Sequence, residues 1–287
     1  MKVHKITIKD SDYPASLRNI SSPPKQLYYL GAPLSDLDQR PTVAIVGSRK
    51  VSHYGGQVTA ELASALARRD ITVVSGLAMG VDAIAHQAVV EAGGRAVAVL
   101  PSGLDLIYPA SNRQLAKRIL ERGGTLITEY PFETEPFKQN FIARNRLIAG
   151  LAQATLITEA AEKSGSLHTA NFALEQGREV LAVPGNITSY LSTGTNNLIK
   201  SGATPITSAQ DIFEALNLAP GEATDHEIVA ANKEEQIILK LLTSGVSDGT
   251  ELLEQSELRP PVFNQTLTMM EITGKIKAAG NDYWRLA

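Results

Sequence analysis

The chain has 287 residues, 43% of them hydrophobic, with 27 Lys+Arg, 30 Asp+Glu and no cysteine. This suits a large α/β domain with a small one beside it, and it excludes global disorder, disulfides, thiolate zinc sites and cysteine nucleophiles. The net charge of −3 argues against a histone-like coat on duplex DNA, and it is uneven: residues 220–287 hold six Lys+Arg against eleven Asp+Glu, a net of −5, leaving +2 on residues 1–219. A polyanion is therefore expected on the large N-terminal part, and the C-terminal part is a poor electrostatic partner for DNA. Residues Met1 to Asp10 alternate apolar and charged positions without the apolar block of a signal peptide. No stretch approaches the roughly 20 apolar residues of a membrane span. A soluble, cytoplasmic protein without membrane contact is expected.

Residues 1–40 carry turn signals (Asp12-Tyr13-Pro14, Pro23-Pro24) and the apolar Leu27-Tyr28-Tyr29-Leu30-Gly31. They read as a lead-in with short strands, packed on the main domain. Thr42–Val46 is then a continuous β-rich run, as a strand buried on both faces should be. Similar runs follow at Ile71–Val74, Ala96–Leu100, Thr125–Thr128, Ala154–Thr158 and Val180–Val183. Helix-length segments with 3.6-residue apolar spacing, such as Val58, Leu62, Ala65 and Leu66, lie between most of them. This alternation predicts a doubly wound, mostly parallel sheet over residues 41–218. Residues 219–232 read as a linker. Residues 233–287 then give helices at Glu234–Leu242, Ser247–Gln255 and Pro261–Met270. Two strands follow, Ile272–Lys277 and Tyr283–Leu286, around an Ala278–Asn281 turn. Three helices and a hairpin are the layout of a winged helix.

Ligands of a doubly wound sheet sit beyond the carboxyl ends of its strands, and small residues gather there. The first strand ends in Gly47-Ser48-Arg49, with Gly55-Gly56 opening the next helix. Glycine permits close backbone approach, helix-start amides suit an anion, and Arg49 adds a fork for phosphate. The spacing is not G-x-G-x-x-G, so no dinucleotide cofactor is indicated. The second strand ends in Ser75-Gly76-Leu77-Ala78-Met79-Gly80-Val81-Asp82. There Asp82 is expected to cap the helix or pair with a cation, and His86 to be a core histidine rather than a metal ligand. After a Pro-rich loop comes Lys138-Gln139-Asn140-Phe141-Ile142-Ala143-Arg144-Asn145-Arg146. On a helix Lys138, Phe141 and Asn145 share one face, with Arg144 and Arg146 flanking it. A cation beside an exposed ring suits unpaired DNA, whose bases stack while the cation holds the backbone. A further Gly-bearing helix start, Ser164-Gly165-Ser166-Leu167-His168-Thr169, offers the hydroxyls of Ser164, Ser166 and Thr169. The next strand ends in Val183-Pro184-Gly185-Asn186.

Together these blocks resemble the bacterial DNA-processing protein A family (DprA, also called Smf). The resemblance extends through Arg144 to Leu151 and into the C-terminal module at Ile272-Thr273-Gly274-Lys275-Ile276 and Tyr283, so it covers nearly the whole chain. It implies an extended Rossmann-like domain that binds single-stranded DNA and forms a homodimer, without a cofactor, a metal or catalysis. It also implies delivery of incoming DNA to the RecA recombinase in natural transformation, and displacement of single-strand-binding protein. On the matching motifs Arg49, Lys138 and Phe141 become DNA-contacting positions and the loops at Gly47, Gly76 and Gly165 phosphate supports, with Ser48, Arg144, Asn145, Ser164, Ser166 and Thr169 as further DNA-binding residues. Many relatives carry an N-terminal SAM-like domain. With about forty residues before the first sheet strand, the form lacking it is expected here.

Two other functions fit the same broad fold. LOG-type nucleoside-monophosphate phosphoribohydrolases carry a catalytic Glu in a P-G-G-x-G-T-x-x-E loop. The comparable helix start here, Ser-Gly-Ser-Leu-His-Thr-Ala-Asn, lacks the paired glycine and the carboxylate, and leaves only Glu159 and Glu175 as unpaired acids. A nucleotide sensor would use the Gly-bearing loops but would not need a solvent-facing Lys138–Phe141 pair.

Overall fold

The computed structural model describes residues 2–218, 230–280 and 282–286. The chain divides into two compact units, Met1–Ala219 and Pro220–Ala287. The first is built on one nine-stranded sheet. Its central strands are the apolar runs of the sequence: β3 (Thr42–Val46), β4 (Thr72–Ser75), β5 (Ala96–Val99), β6 (Thr125–Thr128) and β7 (Ala154–Ile157), every residue of them buried. The lead-in supplies β1 (His4–Thr7), the four-residue helix α1 (Ala15–Arg18) and β2 (Gln26–Gly31). The far side adds β8 (Glu179–Ala182) and β9 (Thr204–Pro205). The order is β1-β2-β6-β5-β4-β3-β7-β8-β9. β1 with β2 and β2 with β6 are antiparallel, and all other pairs are parallel. The sheet is thus a Rossmann-like, mostly parallel one with two antiparallel strands at one edge, as the sequence predicts.

Helices cover both faces. α2 (His53–Arg68), α3 (Val81–Glu91), α4 (Arg113–Glu121) and α8 (Ala209–Ala215) bury Leu62, Leu66, Val89, Ile119 and Ile212 in one core with Val43, Ile45 and Val73. α5 (Lys138–Leu151) and α6 (Ser166–Glu175) bury Leu147, Ile148 and Ala173 in the other, with Ala44, Val46 and the lead-in residues Tyr13, Leu17 and Ile20. α7 (Thr193–Lys200) precedes β9. β3 pairs with β4 on one side and β7 on the other. The chain leaves β3 in one direction and returns at β7 in the other, so the loops after these two strands diverge and open a crevice.

The second unit contains α9 (Lys233–Thr243), α10 (Gly249–Ser256), α11 (Pro260–Ile272) and the hairpin β10 (Ile276–Gly280)–β11 (Tyr283–Leu286) around its own core of Ile238, Leu252, Phe263, Leu267 and Met270. This is the winged-helix-like layout. The hairpin starts four residues later than the sequence suggests. α11 continues through Ile272 and closes on Gly274, whose φ of +71° favours glycine, while Lys275 N donates to Met270 O at 2.8 Å. The expected turn at Ala278–Asn281 is instead strand through Gly280, with a register shift between Ala278 and Gly280. Asn281 and most of the expected linker (219–229) lie outside the described residues.

Candidate nucleic-acid interface

At the crevice lies a groove of about 750 Å³, walled by the loop after β3, the outward face of α5 and the start of α6. Eleven of the twelve site residues expected from sequence line it: Gly47, Ser48 and Arg49, then Lys138, Phe141, Arg144 and Asn145, then Ser164, Gly165, Ser166 and Thr169. Gly76 does not. Arg49 and Lys138 are exposed and Phe141 is half-buried. The Arg49 guanidinium sits over the Phe141 ring at 5.2 Å from its centroid, and Tyr108 meets the same ring edge-on at 5.5 Å. The ring is thereby held between a cation and a second aromatic, an arrangement that supports stacking. Lys50, Lys163 and His168 add further basic side chains, and Tyr190 lies on the wall with 66% of its surface exposed.

Lys50, Tyr108, Lys163 and Tyr190 are groove residues that the sequence reading does not single out. Lys50 and Lys163 flank motifs that it does. Tyr108 follows β5 and Tyr190 follows β8, so position after a strand end is the signal for both. Asn145 is half-buried, its Nδ2 reaching Gly165 O at 3.5 Å. Ser166 and Thr169 are buried, and the Ser164 and Ser166 hydroxyls bond to each other at 2.8 Å.

Arg144 lines the groove but, against the expectation of a flanking face, lies on the buried face of α5. It is only 3% exposed, and its Nη1 donates to Gly76 O at 2.8 Å and to Val99 O. On α5 it falls in line with Asn140, Leu147, Ile148 and Leu151, which are all buried. The helix thus turns Phe141 outward and Arg144 toward the strand ends of β4 and β5. Burial lowers the Arg144 pKa to about 10, against the opposing pull of Asp82, and burial raises Asp82 despite the Arg144 charge. Asp82 caps no helix amide. Its Oδ2 accepts from Gly76 N at 3.0 Å and Ala78 N at 3.4 Å, closing the loop after β4.

The same contacts change the physical reason for the glycines. A Cβ on Gly76 would lie 2.4 Å from Arg144 Nη2, and one on Gly47 would lie 2.6 Å from Val81 Cγ2 and 2.7 Å from Glu159 O. At both glycines the space that a Cβ would need is taken by the protein's own atoms. The start of α2 is occupied as well. Glu159, 2% exposed, accepts from Ser52 N at 2.8 Å and from Ser52 Oγ, while Ser52 Oγ accepts from Gly55 N. An internal carboxylate therefore fills the anion position that Gly55-Gly56 suggested. Gly165 differs, since nothing lies within 4 Å of where its Cβ would be.

His86 is fully buried in α3, and burial drives its pKa down to about 3, the Ser75 backbone offsetting only part of that shift. Arg146 pairs with Glu129 at 2.6 Å and donates from Nε to Ser22 O at 3.0 Å, tying the back of α5 to the lead-in. Neither acid of the hydrolase alternative lines the groove: Glu159 faces the start of α2, and Glu175 is exposed at the end of α6. Among the described residues no cluster of three or more His, Asp or Glu is placed to hold a metal ion, and no helix is long and apolar enough to cross a membrane.

Residues 4–217 match the family model for DNA recombination-mediator protein A. Protein Smf of Synechocystis is 38% identical over 93% of this chain and 69% of its own length. DNA processing protein DprA of Bacillus subtilis is 42% identical over 75% of this chain and 71% of its own. The crystal structure of DNA processing protein A from Streptococcus pneumoniae superposes with a TM-score of 0.69 at 40% identity, covering 74% of each chain. A structure of the Helicobacter pylori protein, concerned with its single-stranded DNA binding mode, gives 0.66 at 32% identity over 74% of this chain and 95% of that one. With three quarters of its length matched, this chain belongs to the DprA/Smf family of DNA-processing, recombination-mediator proteins.

Proposed function

We propose that this protein is a single-stranded DNA-binding recombination mediator whose groove holds the strand by its phosphates and stacks a base on Phe141. The observation that carries this reading is the convergence of Arg49, from the loop after β3, with Lys138 and Phe141, from the first turn of α5, on one groove. Exposed cations around a ring suit a flexible polyanion with unpaired bases; a duplex hides its base faces. The charge balance agrees, since the unit bearing the groove is the one with net +2. The single-stranded DNA binding mode of the Helicobacter pylori relative supports the same class of ligand.

In this reading the protein acts by holding and handing over rather than by bond chemistry. It protects incoming DNA, displaces single-strand-binding protein and loads the RecA recombinase as a homodimer in the cytoplasm. Arg144 is a positioning residue: it fixes α5 against the ends of β4 and β5 and so sets where Lys138 and Phe141 project. The test is fluorescence anisotropy with labelled oligonucleotides. Binding is expected to prefer single strands over duplex, to grow with length, and to weaken with salt as counterions return to the phosphates. Arg49→Ala and Lys138→Ala should both weaken it. Tight mononucleotide binding without oligonucleotide binding would instead make the groove a nucleotide sensor.

A further inference from the structure

A second cavity, of about 410 Å³, opens beside the groove, lined by Ser52 and Tyr54 at the start of α2, Glu159 after β7, and Pro184, Gly185, Asn186, Ser189 and Ser192 after β8. One short segment separates the two. Tyr190 and Leu191 line the groove, while Ser189 and Ser192 line the cavity. Their chemistry differs. The groove holds Arg49, Lys50, Lys138 and Lys163, whereas among the described residues no Lys, Arg or His lines the cavity. A phosphate would have no counter-charge there and would face the Glu159 carboxylate.

The cavity offers acceptors and hydroxyls instead. Glu159 sits in its wall with both carboxylate oxygens anchored by Ser52, which fixes the group while leaving lone pairs for a further donor. Ser192 is 4% exposed and lines the cavity, its Oγ lying 2.2 Å from where a Cβ on Gly185 would be. The third element is a flat wall. The Tyr54 hydroxyl donates to Pro184 O at 2.9 Å, which pins the ring across the opening and leaves it 49% exposed. Burial first, and the Glu159 charge second, hold the Tyr54 phenol above its ordinary range, and both residues line the cavity.

We propose that this cavity binds a nucleoside through its sugar: Glu159 accepts the vicinal ribose hydroxyls, the Ser192 hydroxyl completes the set, and the base lies against Tyr54 and Pro184. The volume is within the range of small-molecule sites, which combine apolar walls with a few placed polar groups. A carboxylate accepting a ribose diol at the strand ends of a doubly wound sheet is sound chemistry, and a neutral ligand fits the missing cations. The cavity shares no charged residue with the groove, so this proposal stands independently of DNA binding.

The test is titration of the full chain with adenosine and cytidine, their 2′-deoxy forms, and AMP, followed by saturation-transfer NMR and calorimetry. Both ribonucleosides should bind. The deoxy forms should bind about tenfold or more weakly, because one charge-assisted hydrogen bond is lost. AMP should bind no tighter than adenosine. Glu159→Gln should abolish the preference for ribose. Because Glu159 also anchors the start of α2, Tyr54→Ala, at an exposed position, provides a second variant and should weaken every nucleoside about tenfold. Absence of binding at millimolar nucleoside, equal affinity for ribose and deoxyribose, or binding unchanged in Tyr54→Ala would each overturn the proposal. Oligonucleotide anisotropy on the same samples reports the groove separately, so failure of one reading is distinguishable from failure of the other.

Discussion

Two strand-to-helix turns near the groove use glycine in opposite ways. On the β4 side Gly76 leaves a space that the Arg144 guanidinium fills, and the amides of the loop are taken by Asp82. On the α6 side the space beside Gly165 is open, and the residue forms part of the groove wall. In sequence both are small residues at a strand-to-helix turn. The difference is made by residues that reach the loop from elsewhere: Arg144 follows Gly76 by 68 positions. A Gly-bearing turn therefore announces a close approach without saying whether the approaching atoms belong to a ligand or to the protein itself.

The sharpest way to break this comparison is Gly76→Ala. The new methyl would overlap the guanidinium, and Arg144 would have to move, uncovering the carbonyls of Gly76 and Val99 and leaving Asp82 without its nearest cation. Disrupting a buried charge in this way costs about 3–5 kcal/mol. Urea unfolding of Gly76→Ala and of Arg144→Met should both show losses of that order. A loss below about 1 kcal/mol in both would mean that the guanidinium is not the filler.

The next largest effect is in the pH dependence of the same filled side. His86 folds neutral, with a pKa near 3 against 6.5 unfolded. The unfolded chain thus binds the extra proton first, so stability is full above pH 6.5 and declines as pH falls toward 3, by about 1.4 kcal/mol per unit. Asp82, shifted upward, works in the opposite direction on acidification. Comparing the wild type with His86→Leu isolates the histidine: between pH 7 and 5 the wild type should lose about 2 kcal/mol more than the variant. Parallel curves would show that the imidazole is solvated in the folded state.

On the open side the effects belong to binding. Phe141→Ala should weaken single-strand affinity by about 1–3 kcal/mol, the range for one base–aromatic stack, with no change in unfolding midpoint. Arg49→Ala should weaken it less at high salt than at low salt and flatten the salt dependence by about 0.7 for each phosphate that is no longer neutralised. An unchanged slope would remove Arg49 from the phosphate path.

Much of this was legible in the sequence, and the failures have physical causes. The central strands announced themselves because a strand buried on both faces must be apolar throughout. β9 did not, since two residues ending in proline carry no pattern. The groove residues were found because they sit at strand ends and on one face of α5. The burial of Arg144 is not what its charge suggests, although Asn140, Leu147, Ile148 and Leu151 mark that stripe of α5 as buried. Glu159 carries no local signal of its task, because closing the start of α2 depends on a partner 107 positions away.

The smallest effect is the most direct check on the comparison. Gly165 has φ −62° and ψ −21°, a conformation that alanine adopts without strain, and a methyl there meets no atom. Gly165→Ala should therefore leave stability unchanged or raise it by about 0.4–1 kcal/mol, by restricting the unfolded chain. If the open side is a nucleic-acid wall, the same methyl intrudes on the groove and weakens oligonucleotide binding while the fold is, if anything, firmer. A single substitution would then separate stability from affinity in opposite directions, which Gly76→Ala cannot do because it loses both. If Gly165→Ala instead destabilised the protein by more than about 1 kcal/mol, outside the range expected for an open site, the space beside residue 165 would be filled in solution, and the two glycines would be doing the same job.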